Sequence, residues 1–140
     1  MKKFLQLTIS AFAAALLLAG CASDSSAPAA AMPAMTDTEV ATKFKGGSWT
    51  GEWSVGQYGG KFVLNVTGTD GNKVTGEALF FGTQAGDTKE PLVNGVVQKG
   101  ELSATLPSSM AIKLKLRDEK SARGSWEIQG IRGDLKAARN

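Results

Sequence analysis

The chain has 140 residues, 42% of them hydrophobic, and 16 cations against 13 anions give a formal net charge of +3. That length and apolar content suit one packed domain rather than two. With no histidine and a single cysteine, Cys21, an intrachain disulfide, a Ser-His-Asp or Cys-His nucleophilic site and a Cys/His zinc centre are all excluded, and no cofactor is expected.

Met1-Lys2-Lys3 gives a short basic start, and Phe4 to Leu18 is a mostly apolar run broken by Gln6, Thr8 and Ser10. Its length suits the apolar region of a signal peptide and is short for a spanning helix. Leu18-Ala19-Gly20-Cys21 follows directly, and this order of segments resembles a bacterial lipobox. The resemblance implies that residues 1–20 are removed. Cys21 then carries a thioether-linked diacylglycerol, and its freed amine is acylated with a palmitate-like chain. Three chains hold a protein firmly where one binds only marginally. In Gram-negative lipoproteins an aspartate after the cysteine favours the inner membrane. Here Ala22-Ser23 stands there, which implies the outer membrane, with the domain facing the periplasm. Loss of Lys2 and Lys3 leaves 14 cations against 13 anions. The sequence pI of 9.1 is then no sign of nucleic-acid binding, and no nucleic-acid partner is expected.

Ala22 to Lys45 is rich in Ala, Ser and Pro and has no apolar period. Such a segment buries too little surface to offset its ordering entropy. It reads as a flexible tether over residues 21–45, spanning roughly 25 Å for about twenty residues. Within it, Thr36 to Phe44 carries a competing helix signal, with Thr36 or Asp37 as N-cap.

From residue 46 on, the dominant period is two, with turn signals every 8 to 12 residues. Trp49, Gly51, Trp53 and Val55 share one parity. Phe62, Leu64 and Val66 form the next row, and Asp70-Gly71 turns the chain into Val74, Gly76, Ala78 and Phe80. Gly82 to Pro91 is polar and reads as the longest turn-rich gap. Leu92 to Gln98 is a strand with an ambiguous face. Leu102, Ala104 and Leu106 point one way. Ile112, Leu114 and Leu116 alternate strictly with Lys113, Lys115 and Arg117. Gly124, Trp126 and Ile128 precede a last row of Ile131, Gly133, Leu135 and Ala137. These eight short strands with short connections predict an all-β domain over residues 46–140: an antiparallel up-and-down barrel of about eight strands, or alternatively a two-sheet sandwich.

Gly51-Glu52-Trp53-Ser54-Val55 is echoed by Gly124-Ser125-Trp126-Glu127-Ile128. Since the first and last strands of a barrel must pair, the echo predicts tryptophans plugging one of its ends. Gly51-x-Trp53, with Arg139 after the last strand, also resembles the calycin group of barrels (lipocalins, avidins and relatives). There a Gly-x-Trp ring packs against a late basic residue. The chain is much shorter than a lipocalin and has no match to the residues with which avidins hold biotin. The resemblance therefore implies an architecture rather than a named ligand.

Glu52, Glu77 and Glu127 are the carboxylates that strand pairing would have to assemble for hydrolytic chemistry. Each falls on the parity opposite the apolar rows and is expected on the solvent face. No catalytic residue and no metal ligand set is assigned. Lys113, Lys115 and Arg117, joined by Lys120 and Arg123, form the most marked charge feature. They read as a solvated outer face or as a surface for an anionic partner. The composite expectation is a monomeric, non-catalytic outer-membrane lipoprotein whose barrel binds a protein or small-molecule partner. One version is an inhibitor using the loop from Gly82 to Pro91. The alternatives are a calycin-type carrier and a carboxylate-dependent hydrolase.

Overall fold

Alternation from Trp49 onward becomes strand almost without interruption. The computed structural model describes residues 33–140; the signal segment, Cys21 and most of the expected tether lie outside the described residues. The order is α1 (Asp37–Lys45), β1 (Ser48–Val55), β2 (Tyr58–Asp70), β3 (Lys73–Thr83), β4 (Gly86–Pro91), β5 (Val93–Gln98), β6 (Glu101–Thr105), β7 (Ala111–Leu116), β8 (Ser121–Ile128) and β9 (Ile131–Arg139). All pairings among them are antiparallel.

β1 pairs with both β2 and β9, and the ladder continues β9, β8, β7, β6, β5. β5 reaches the start of β3 through Lys73↔Val96, and β3 pairs with β2 along most of its length. The ring therefore closes on itself as an eight-stranded antiparallel barrel, and the sandwich alternative falls away. β4 is a ninth strand outside the ring. It pairs only with the second half of β3, from Glu77↔Pro91 to Thr83↔Gly86.

The turn-rich gap expected over 82–91 is thus a hairpin with a real strand. Its sequence, Gly-Asp-Thr-Lys-Glu-Pro, shows no alternation because none of its residues enters the core. The backbone ladder to β3 holds it instead. The chain then kinks: Leu92 N–H donates to Gly76 O at 2.8 Å, and Asn94 adopts a positive φ of 53°. β5 settles the ambiguous face by turning Gly95 and Val97 inward.

The other inward rows lie where alternation places them. Phe62 and Leu64, Val74, Ala78 and Phe80, Leu102 and Leu106, Ile112 and Leu114, and Leu135 and Ala137 are all buried, and among the described residues no buried one is polar or charged. Full burial of each large aliphatic or aromatic side chain contributes about 1.5–3 kcal/mol. Ile131, expected inside, is 55% exposed at the barrel rim.

α1 closes one end, the end formed by the 70–73, 98–101 and 116–121 turns. A capping box starts it: Thr36 N–H donates to Glu39 Oε2 at 2.7 Å, and Glu39 N–H donates to Thr36 Oγ1 at 3.3 Å. Val40, Ala41 and Phe44 are buried in the core. Asp37 accepts the Gly100 N–H at 2.8 Å, and Lys43 pairs with Glu119 at 3.3 Å. The tether expected up to Lys45 therefore does not include α1, because three apolar residues at helical spacing find a barrel end to cover. Among the described residues no helix is long and apolar enough to cross a membrane.

Candidate functional site

Among the described residues, the opposite end of the barrel carries no such cover. It is ringed by the β1–β2 turn at Gly56-Gln57, the β3–β4 turn at Gln84-Ala85, the segment 106–110 and the β8–β9 turn at Gln129-Gly130. Gln129 and Gly130 both have positive φ, 51° and 80°, the geometry of a two-residue hairpin that keeps the strands twisted together. Within this ring lies a cavity of about 380 Å³, in the size range of small-molecule sites. Its deeper wall is Trp53, Phe80, Trp126, Val55, Met110 and Ile128, while Thr88, Glu90 and Ser108 supply a few polar atoms at one side. Tyr58, 62% exposed, and Ile131 stand on the rim.

Two hairpins of matching pattern build the floor. In β1–β2, Trp53 stands opposite Gly60; in β8–β9, Trp126 stands opposite Gly133. Each glycine leaves room for the ring laid across it. A Cβ at Gly60 would lie 2.7 Å from Trp53 Nε1, and one at Gly133 would lie 2.5 Å from Trp126 Nε1. The two indoles meet edge to face, centroids 5.9 Å apart at 82°. The sequence echo is therefore a structural one, and its tryptophans meet at one end of the barrel. They floor a cavity there rather than filling the opening.

The two rings differ in one respect. Trp53 Nε1 donates to Phe81 O at 2.9 Å, whereas the buried Trp126 Nε1 has no partner among the described residues. The equivalent acceptor is Ser54 O, which also lies against the inward side of Gly133, outside hydrogen-bonding geometry.

β4 completes the wall. Before the kink at Leu92 it pairs with β3 and not with β6. Glu90 Oε2 bridges the resulting slot by accepting the Ser108 N–H at 2.7 Å. Glu90 lay in the segment read as a turn-rich gap, and Met110 fell between the rows ending at Leu106 and beginning at Ile112, so strand periodicity could not mark either as a cavity residue.

Arg139 covers a different ring from the one expected. Its guanidinium lies 5.8 Å from the Trp49 centroid, not over Trp53, and donates to Lys43 O at 3.2 Å. Trp49 Nε1 donates to Phe44 O at 2.9 Å. This cluster belongs to the closed end, and the Gly-x-Trp that meets the late basic residue is Gly47-Ser48-Trp49. Arg139 itself lies within β9.

Glu52, Glu77 and Glu127 are not brought together. Glu52 stands between Lys61 and Lys136, Glu77 between Asn65 and Pro91, and Glu127 between Ala111 and Arg132. Among the described residues, no three of Cys, Asp and Glu cluster as a metal site would require. Lys113, Lys115 and Arg117 are exposed, the first two on β7 and the third just past its end. Strand pairing places Arg123 beside them, as expected, and adds Lys136. Arg123 on β8 stands opposite Lys115, and Lys136 on β9 stands opposite Arg123. Lys136 was visible in sequence only as one outward residue of an alternating strand; its place beside Arg123 depends on register. Cys21 lies outside the described residues.

No family model, no curated protein and no solved structure matches this chain. The class its own geometry defines is a closed eight-stranded antiparallel barrel, covered at one end by a helix and open to an apolar cavity at the other.

Proposed function

We propose that this protein is a lipid-anchored, non-catalytic binding barrel of the outer membrane, and that its open end takes a small apolar ligand. The carrying observation is the cavity of about 380 Å³ over Trp53, Phe80 and Trp126. Its lining suits an apolar group held by dispersion and water exclusion, with few polar atoms to orient a reacting one. The lipobox residues Leu18-Ala19-Gly20-Cys21 support the anchor.

The two indoles make the ligand reading measurable. Titrating linear alkanoic acids or an apolar fluorescent probe should give saturable 1:1 quenching of tryptophan emission. Ile128→Trp, which fills the cavity from its wall, should abolish that binding while circular dichroism stays that of the barrel. Absent saturation, or equal binding by Ile128→Trp, rejects the ligand reading. For the anchor, the wild type should incorporate labelled palmitate and stay with membranes through a high-salt wash, and Cys21→Ser should do neither. Label retained in Cys21→Ser sinks the anchor without touching the cavity.

The exposed rim residues Tyr58 and Ile131 favour one second reading, a protein partner seated on the open end, as the inhibitor version requires. Tyr58→Ser with Ile131→Ser should then abolish complex formation with that partner and leave probe binding intact.

A further inference from the structure

We propose that the basic flank of the barrel, on β7, β8 and β9 beside the helix-covered end, docks on an anionic lipid surface, so that the open end points away from the membrane. Lys115, Arg123 and Lys136 form one row across three adjacent strands, each directly opposite the next. All three are exposed. Lys113 on β7 and Arg117 just past its end flank the row. Like charges directly opposite one another cost a sheet stability, and a surface of opposite charge removes that cost. Glu101 and Glu52 stand at the two ends of the row and not within it. Among the described residues, the ion pairs within 4.0 Å are Lys43–Glu119 and Lys89–Glu77, so neither carboxylate neutralises a member of the row.

A shallow trough floored by Thr50, Ser121 and Ala138 runs alongside, bounded by Arg117, Arg123 and Lys136 and also by Glu52 and Asp118. Small residues there allow a headgroup phosphate close to the cations. Asp118 turns its carboxylate into its own turn. It accepts the Lys120 and Ser121 N–H groups at 2.7 and 2.8 Å and the Ser121 hydroxyl at 2.5 Å.

A second observation selects a membrane as the partner. The Arg117 end of β7 adjoins the 116–121 turn, where Lys43 of α1 meets Glu119, and Pro33–Thr36 lead into that same helix. Residue 21 stands twelve positions before Pro33, a reach of at most about 40 Å. A chain anchored at Cys21 would hold the barrel within that distance of the bilayer, close enough for the cations beside the helix-covered end to reach it. The orientation uses the proposed anchor; docking by the basic row requires neither the anchor nor an occupied cavity.

The test uses residues 21–140 with Cys21→Ser, which keep the whole packed unit and remove the lipid. Vesicles of phosphatidylglycerol with phosphatidylcholine, vesicles of phosphatidylcholine alone, and soluble dextran sulfate are compared at low and high salt. Binding should occur on the anionic vesicles and weaken with salt as the Debye length falls below about 10 Å. Lys115→Ser with Arg123→Ser and Lys136→Ser should lower partitioning about 100-fold, at about five-fold per cation. Lys61→Ser with Lys89→Ser and Arg132→Ser removes the same charge from other exposed positions and should cost much less. Equal losses in the two triple variants, equal binding to neutral vesicles, or capture by dextran sulfate without vesicle binding would each overturn the proposal. The cavity titration is unaffected by any of these outcomes.

Discussion

Trp49 and Arg139 tie the two ends of the barrel ladder to the last turn of α1. The indole N–H takes the carbonyl of Phe44, the guanidinium takes that of Lys43, and the guanidinium lies over the indole. Both carbonyls belong to the negative end of the helix, where a cation and a donor are favoured. Arg139→Met keeps the bulk and loses the cation–π and hydrogen-bond contributions. It should lower unfolding stability by about 1–2 kcal/mol, read from urea denaturation; an unchanged midpoint would show that the cluster is ornamental. At the open end the two floor tryptophans allow a sharper comparison. Trp53→Phe leaves the Phe81 carbonyl without its donor, whereas Trp126→Phe removes an N–H that already has no partner. Trp53→Phe should therefore be the more destabilising by about 1–2 kcal/mol, and the reverse order would contradict the assigned bond.

Among the elements, α1 and β4 show opposite ways of joining the barrel. α1 has a strong local start and an apolar face. Thr36→Ala removes the hydroxyl that accepts the Glu39 N–H, leaves the backbone N–H half of the capping box in place, and should cost about 1 kcal/mol. The Thr36 backbone N–H, and then its hydroxyl, hold the Glu39 carboxyl below its ordinary value of 4.5. A folded-state pKa that is depressed adds stability above the unfolded pKa, and that stability is lost as pH falls through the folded value. Asp118 acts in the same direction through the Ser121 hydroxyl and the Lys120 N–H. The thermal midpoint should thus decline below about pH 4, and Glu39→Gln with Asp118→Asn should flatten that decline. Both groups are exposed, so the slope is small, and an identical acid profile in the double variant would discard these two as its source. β4 has neither a core row nor a second neighbour. Its amides should exchange hydrogen faster than those of β7, β8 and β9, and uniform protection across these strands would contradict its place outside the ring.

At the scale of the whole molecule, the ends of the barrel are unlike: one is covered by a helix with aromatic and cationic ties, the other opens on apolar side chains. The alternation of Ile112, Leu114 and Leu116 with Lys113 and Lys115 is a local property, because successive side chains on a strand point to opposite faces whatever the partner. For that reason the inward rows, and from their short connections the antiparallel barrel, were legible in the sequence. Thr36 and Glu39 likewise carried the start of α1 in four residues, but nothing local says that the helix covers a barrel end. β4 was illegible because the backbone of β3 holds it and no apolar residue marks it. Ile131 sits in phase with an inward row yet lies on the rim, since depth along the barrel is not encoded by period. Register is a long-range quantity, set only when the ring closes. It decided that Arg139 meets Trp49, that Trp53 and Trp126 floor one cavity, and that Lys115, Arg123 and Lys136 form one row. The sequence by itself determined which side chains face inward, because that choice is made residue by residue. Only the tertiary structure decided which of them meet, because strands far apart in the chain must first pair.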